Sequence, residues 1–278
     1  MAVIIDGKAV AEKITEELKQ KISRMTKKPH LAVIQVGNNP ASSIYVNLKR
    51  KKAEEVGIKS TVINLDDKIS EQELINEINK LNNNSEVHAI LVQLPLPAHI
   101  SSDNIIKTIL PEKDVDGFTA QNSGDLLNGI TPNVYPCTPK GVLRLLKEYN
   151  INISGKHAVI VGRSNIVGKP VAIMLLNKNA TVTICHSKTK NLKEITAQAD
   201  ILISAVGKKI IYKDMVKQGA VVIDVGIFKD DNGKTTGDVD FENVKDIASY
   251  ITPVPKGVGP MTIASLMENT LELFEKQQ

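Results

Sequence analysis

His157-Ala158-Val159-Ile160-Val161-Gly162-Arg163-Ser164-Asn165-Ile166-Val167-Gly168-Lys169-Pro170 reads as a buried strand, a glycine turn and the start of a helix. Val159 to Val161 are aliphatic and stop at Gly162, and Pro170 suits the first turn of a helix running on to Leu176. Gly162 permits a sharp turn, and Gly168 lets the helix lie close to the strand. Free amides at the helix start, with the positive end of its dipole, suit a pyrophosphate. The common dinucleotide fingerprint has three glycines; here Ser164 holds the middle position and Gly168 comes one residue late. The pattern alone therefore also describes a plain strand-helix turn.

Downstream, Thr181 to Cys185, Ile201 to Ala205 and Ala220 to Val225 are further short β-rich runs separated by helical stretches, which predicts a doubly wound parallel sheet. Asp231-Asn232-Gly233-Lys234 reads as a hairpin turn. Upstream, Ile14, Leu18 and Ile22 mark an amphipathic helix over residues 8 to 24. Strands at Leu31 to Val36, Ile58 to Leu65 and Ala89 to Val92 then alternate with helices at Ser42 to Val56 and Glu71 to Leu81. Residues 111 to 138, rich in Pro, Gly, Asp and Asn, read as a long functional loop. A helix from Pro139 to Tyr149 crosses to the second domain, and a last helix from Pro260 packs back on the first. The expected fold is thus α/β, with two domains: 1–138 plus the helix 260–278, and 139–259, the latter Rossmann-like.

Composition narrows the function. The 278 residues suffice for two ordinary cores. There is no Trp, with only five Tyr and four Phe, so a stacking platform for single-stranded nucleic acid is missing. The net charge of +4 is spread along the chain, which gives no basic DNA-binding footprint. Cys137 and Cys185 are far apart without neighbouring ligand patterns, which argues against a zinc site or disulfide framework and fits a reducing cytosol. No signal peptide or membrane span is visible.

Three places could carry chemistry. At roughly 100° per residue, Tyr45, Val56, Lys49, Ala53 and Val46 fall on one helix arc, which sets Lys49 in an apolar stripe. An ammonium among apolar groups is disfavoured as a cation, which suits it to acid/base work, although such a lysine can also run its stem out to water. Gln93 follows a strand's carboxyl end, where open α/β sheets place ligand contacts, or it caps that strand. Asp114-Val115-Asp116-Gly117 could bind metal, cap a turn, or accept hydrogen bonds from a heterocycle's N–H groups. After the fingerprint, the second strand runs into Cys185-His186-Ser187-Lys188 with no acid to hold a ribose 2′-hydroxyl. Arg163 stands in the phosphate turn itself. A 2′-phosphate is favoured over a free hydroxyl, hence NADP over NAD.

These pieces resemble a family. Tyr45-x-x-x-Lys49, Val92-Gln93-Leu94-Pro95-Leu96-Pro97, Pro111-Glu112-Lys113-Asp114-Val115-Asp116-Gly117, Pro136-Cys137-Thr138-Pro139, the Gly162 to Pro170 turn and Gly257-Val258-Gly259-Pro260-Met261-Thr262 are similar to the bifunctional methylenetetrahydrofolate dehydrogenase/methenyltetrahydrofolate cyclohydrolase family, over nearly the whole chain. The resemblance implies NADP-dependent oxidation of 5,10-methylenetetrahydrofolate and hydrolysis of the methenyl product to 10-formyltetrahydrofolate, in one cleft flanked by the two domains. It implies Lys49 as the acid/base group, Gln93 tuning it, and Asp116 accepting from the pterin. Ser42, Tyr45 (stacking on the aminobenzoate), Gly257, Gly259, Pro260 and Thr262 would bind substrate. Gly162, Arg163, Ser164, Gly168, Ser187 and Ile227 would bind NADP. It further implies a cytoplasmic homodimer that needs no metal. A monofunctional dehydrogenase and a non-catalytic dinucleotide sensor are the alternatives. One departure stands out: family members commonly carry two glycines before Val-Gly-Pro-Met-Thr, and this chain has Lys256-Gly257. Lysine tolerates positive φ poorly, so the local backbone is open to question.

Overall fold

Short β-branched runs alternating with amphipathic stretches fold into parallel sheets with helical crossovers. The computed structural model describes residues 1–230 and 233–278. The chain opens with β1 (Val3–Ile4), α1 (Gly7–Ser23), β2 (His30–Val36), α2 (Pro40–Val56), β3 (Lys59–Leu65), α3 (Glu71–Asn82) and β4 (Ala89–Val92). It continues through α4 (Ser102–Thr108), α5 (Ala120–Leu127), α6 (Cys137–Glu148), β5 (His157–Val161), α7 (Gly168–Leu176), β6 (Thr181–Cys185), α8 (Leu192–Thr196) and β7 (Ile201–Ser204). It closes with β8 (Val221–Asp224), β9 (Phe228–Lys229), β10 (Thr235–Thr236), α9 (Phe241–Val244), β11 (Tyr250–Ile251) and α10 (Val258–Lys276).

Contacts divide the chain into two units, one of residues 13–137 and 263–278, the other of residues 1–12 and 138–262. In the first, the Lys49 unit, three parallel strands lie in the order β3-β2-β4. The central β2 is buried at every position. Ala32, Ile34 and Val36 pack with Leu74 and Ile78 of α3 and Ile105 of α4. Ser70 starts α3 with a reciprocal capping box: its hydroxyl accepts from Glu73 N and the Glu73 carboxylate accepts from Ser70 N.

In the second, the Gly162 unit, six parallel strands run in the order β1-β11-β8-β7-β5-β6. From β5 the chain goes to β6 on one side and then to β7 on the other. The strand order therefore reverses beside β5, the place at whose carboxyl end such sheets hold ligands. Val159, Val161, Leu202 and Val222 form the core with Ile211, Val239 and Val244.

Two expectations change and one helix is added. Residues 1–12 do not stay with the first unit, because Val3 and Ile4 pair with Tyr250 and Ile251 and add an edge strand to the six-stranded sheet. The stretch 111–138 is not all loop, since Ala120–Leu127 is helical, with Leu126 buried beneath it. Helix α4 lies in a polar stretch that gave no helical reading; Ser101 caps it and Ile105 anchors it. The hairpin read at 231–234 is present in its flanks, where Lys229 pairs with Thr235 and Phe228 with Thr236, while Asp231 and Asn232 lie outside the described residues.

Candidate active site

In the Lys49 unit the site is built on the carboxyl edge of the small sheet. Gln35, 4% exposed near the end of β2, donates from Nε2 to Gly37 O at 3.1 Å and Ser43 Oγ at 2.8 Å, which fixes how α2 leaves the strand. Sequence reading passed over Gln35, whose partners lie around a turn. Val46, Ala53 and Val56 of α2 are buried, as the helix arc predicts, and Ser42 is buried beside them. Lys49 is half-buried and Tyr45, at the margin of the arc, is 42% exposed. Tyr45 is thus no core residue; its ring is presented outward.

Lys49 Nζ donates to Gln93 Oε1 at 2.9 Å, and Gln93 Nε2 donates to Leu94 O at 2.6 Å. The second bond leaves the Gln93 oxygen as the atom facing the lysine. Residues 113–115 run beside β4: Ile90 N donates to Lys113 O at 2.7 Å and Ile90 bridges Asp114 in parallel. Asp116 thereby emerges next to the end of β4. Loss of hydration pushes its carboxyl up to about 6, against the pull of the Lys49 ammonium.

The two aspartates of the Asp-x-Asp-Gly stretch have separate work. Asp114 is 2% exposed and accepts from Gly117 N at 3.0 Å, Thr119 N at 2.7 Å and Asn122 Nδ2 at 3.0 Å, so it caps its own turn. Gly117 has φ +69, and a Cβ there would lie 2.9 Å from Val134 O. Asn269 of α10 is fully buried and donates to Val115 O at 2.9 Å and Tyr135 O at 2.8 Å, which pins the Asp116 loop. Cys137 Sγ lies 3.7 Å from Asp116 Oδ1. Neither Asn269 nor this use of Cys137 had a local signal in the sequence. Among the described residues there is no group of three or more His, Cys, Asp or Glu side chains able to hold a metal ion.

In the Gly162 unit the glycine turn follows the reading closely. Gly162 has φ +126 and a Cβ there would lie 2.5 Å from Ala205 O; at Gly168 it would lie 2.2 Å from Gly162 O. Both positions exclude any side chain. The helix-start amides differ from expectation: Ser164 Oγ accepts from Val167 N and Gly168 N, each at 3.2 Å, so the hydroxyl already caps them. Val161 of β5 is in register with Cys185 of β6, so Arg163 and Ser187 stand two residues beyond the ends of neighbouring strands, and both are exposed. Ile227 is 51% exposed just past β8.

Gly257, Gly259, Pro260 and Thr262 also belong to the Gly162 unit, apart from the Lys49 group by chain division. A Cβ on Gly257 would lie 2.4 Å from Pro253 O, whereas Gly259 is open. Thr262 Oγ1 is 2.9 Å from Thr138 Oγ1. Lys256 does adopt φ +84, the conformation that glycine supplies without cost, and its carbonyl accepts from Lys8 N at 3.0 Å.

A reversing parallel sheet with a glycine turn, joined in one chain to a lysine–glutamine–aspartate group, defines a dinucleotide-binding α/β enzyme. Residues 5–116 match the catalytic domain of tetrahydrofolate dehydrogenase/cyclohydrolase, and residues 136–278 match its NAD(P)-binding domain. The chain belongs to the tetrahydrofolate dehydrogenase/cyclohydrolase family. It is 55% identical to the bifunctional protein FolD of Bacillus cytotoxicus, over 98% of this chain and 96% of that one. The crystal structure of the bifunctional FolD enzyme from Campylobacter jejuni superposes with a TM-score of 0.98 at 52% identity, covering 100% of both chains. The Trypanosoma brucei methylenetetrahydrofolate dehydrogenase-cyclohydrolase, complexed with NADP cofactor and inhibitor, gives a TM-score of 0.94 at 39% identity over 99% of this chain and 98% of that one.

Proposed function

We propose that the chain oxidises 5,10-methylenetetrahydrofolate to the 5,10-methenyl cation with NADP⁺ and hydrolyses that cation to 10-formyltetrahydrofolate. The observation that carries the reading is the Lys49–Gln93 hydrogen bond beside Asp116, in a chain of this family.

Each residue has a defined task. The Asp116 carboxylate accepts hydrogen bonds from the pterin N–H groups, and Tyr45 lays its exposed ring against the aminobenzoate. Ser42, Gly257, Gly259, Pro260 and Thr262 complete the substrate contacts. Lys49 Nζ moves the proton between the attacking water and the folate nitrogen that leaves, and Gln93 Oε1 holds the Lys49 ammonium in place. The positive charge of the methenyl group makes its carbon electrophilic.

NADP fits the residues present. Gly162 and Gly168 bring strand and helix close, Ser164 sets the turn, and Arg163 and Ser187, two residues beyond the ends of neighbouring strands, would offer a 2′-phosphate a cation and a hydroxyl. Ile227 offers an apolar surface. Bound there, NADP⁺ would supply the acceptor for the hydride leaving the methylene carbon. The proposed oligomer is a cytosolic homodimer. Among the described residues no helix is long and apolar enough to cross a membrane.

An assay with methylenetetrahydrofolate and NADP⁺, following NADPH, methenyl and formyl products separately, tests the reading. NADPH and formyl product are expected to appear together. Accumulation of methenyl product alone would replace it with a monofunctional dehydrogenase, and no turnover would reject both.

A further inference from the structure

Asp238 has no solvent exposure, yet its carboxylate accepts four hydrogen bonds. Oδ2 takes Ser204 Oγ at 2.8 Å and Val206 N at 2.7 Å; Oδ1 takes Gly207 N at 2.8 Å and Lys208 N at 2.9 Å. A buried carboxylate needs donors of this kind to compensate for lost water. These donors are the end of β7 and three successive amides of the loop after it, so one side chain sets the whole loop.

Asp224, at the end of β8 and 3% exposed, holds the backbone of Asp238 in turn. Its Oδ1 accepts from Asp238 N and Gly226 N, each at 3.0 Å, and its Oδ2 accepts from Val239 N at 2.9 Å. Space is kept clear for both carboxylates. A Cβ on Gly226 would lie 1.9 Å from Asp238 Oδ1, and one on Gly237 would lie 2.1 Å from Asp224 Oδ2. The far side of the loop meets the dinucleotide turn, because Ala205 O is the atom that a Cβ on Gly162 would strike.

We propose that Asp238, held by Asp224, is a positioning residue for NADP, setting loop 205–208 against the Gly162 turn at the carboxyl ends of β5 and β7. The inference rests on the NADP-dependent reading above. Its physical basis is that three amides in a row can be aimed by a single acceptor, at the edge where the strand order reverses and ligands bind. Without that acceptor the loop reorients toward water and the backbone under the glycine turn shifts with it.

The test uses Asp238→Asn, which keeps the shape but sets an amide against N–H donors, and Ser204→Ala, which removes one donor and keeps the charge. NADP⁺ dissociation constants are measured by calorimetry, and hydrolysis of methenyltetrahydrofolate is followed without cofactor. Asp238→Asn is expected to weaken NADP⁺ by about tenfold and Ser204→Ala by about threefold, with methenyl hydrolysis within about twofold of the parent in both. Unchanged NADP⁺ affinity in Ser204→Ala, or methenyl hydrolysis falling in step with affinity in either variant, would overturn the positioning role. Ser204→Ala decides alone if Asp238→Asn does not fold. Failure of the parent protein to bind NADP⁺ would instead overturn the functional reading, and this one with it.

Discussion

Lys49 Nζ and Gln93 Oε1 meet at 2.9 Å although 44 residues separate them, one side chain arriving from a helix and the other from just past the end of a parallel strand. Because Gln93 Nε2 is tied to its neighbouring carbonyl, the amide cannot rotate without losing a bond, and the lysine faces a fixed acceptor. Proton transfer demands such fixed geometry before anything else.

Lys49→Met keeps the length and apolar character of the stem and removes the ammonium proposed to carry the proton. Methenyl hydrolysis is expected to fall by about 10²- to 10⁴-fold, the range a positioned acid/base supplies. NADP⁺ affinity and the thermal midpoint are expected to stay near the parent's. Near-normal hydrolysis in stopped-flow assays would remove Lys49 from the chemistry.

Burial disfavours the charge of Asp116 and pushes its carboxyl up to about 6. The role proposed for it, accepting hydrogen bonds from the pterin, requires the ionised form. The Michaelis constant for methylenetetrahydrofolate is therefore expected to be flat above pH 6 and to rise as pH falls through it. Asp116→Asn should bind poorly at every pH without that inflection. An inflection surviving in the variant would belong to another group.

Arg163→Ala tests cofactor choice. A charge-assisted contact to a 2′-phosphate contributes about 1.5–3 kcal/mol, so NADP⁺ is expected to bind about tenfold to a hundredfold more weakly. NAD⁺ lacks that phosphate and is expected to lose little. Equal losses for both cofactors would put the guanidinium on the shared pyrophosphate.

Asp224 is pushed up to about 7, first by burial and further by the charge of Asp238, against the amides that favour its ionised form. In the native state it holds a proton to higher pH than in the unfolded chain, so its contribution to stability declines as pH rises from about 4 to about 7. Carbon NMR of the side-chain carboxyl is expected to show a midpoint near 7. A midpoint below 5 would contradict the assignment.

Lys256 holds φ +84 where glycine would be unstrained. Relief of that conformation, less the entropy a glycine adds to the unfolded chain, gives an expected gain of about 0.5–1 kcal/mol for Lys256→Gly. Denaturant titration measures it. A loss of stability would mean that the lysine side chain contributes more than its backbone costs.

What could be read directly from the chain was what is coded locally. Gly162 and Gly168 announce a backbone requirement at their own positions, and Lys49 reveals its setting through the helical spacing of Val46, Ala53 and Val56. What escaped reading depends on distant partners. Asn269 reaches Val115 across 154 residues, and Asp238 reaches back 34 residues to Ser204. A buried polar side chain of this kind carries no period and no neighbouring motif. Val3–Ile4 was missed for another reason: two residues are too few to show alternation, and only the pairing with β11 makes them a strand.

The Asn269 tether also bears on how the protein is made. The unit containing Lys49 and Asp116 is completed by residues 263–278, which follow the entire insertion 138–262 in the chain. During synthesis the Asp116 loop is made before the residue that pins it, because Asn269 follows all of 138–262 in the chain. A nascent chain stalled before α10 carries every residue of the Lys49 group, but its Asp116 loop has nothing from Asn269 to close it.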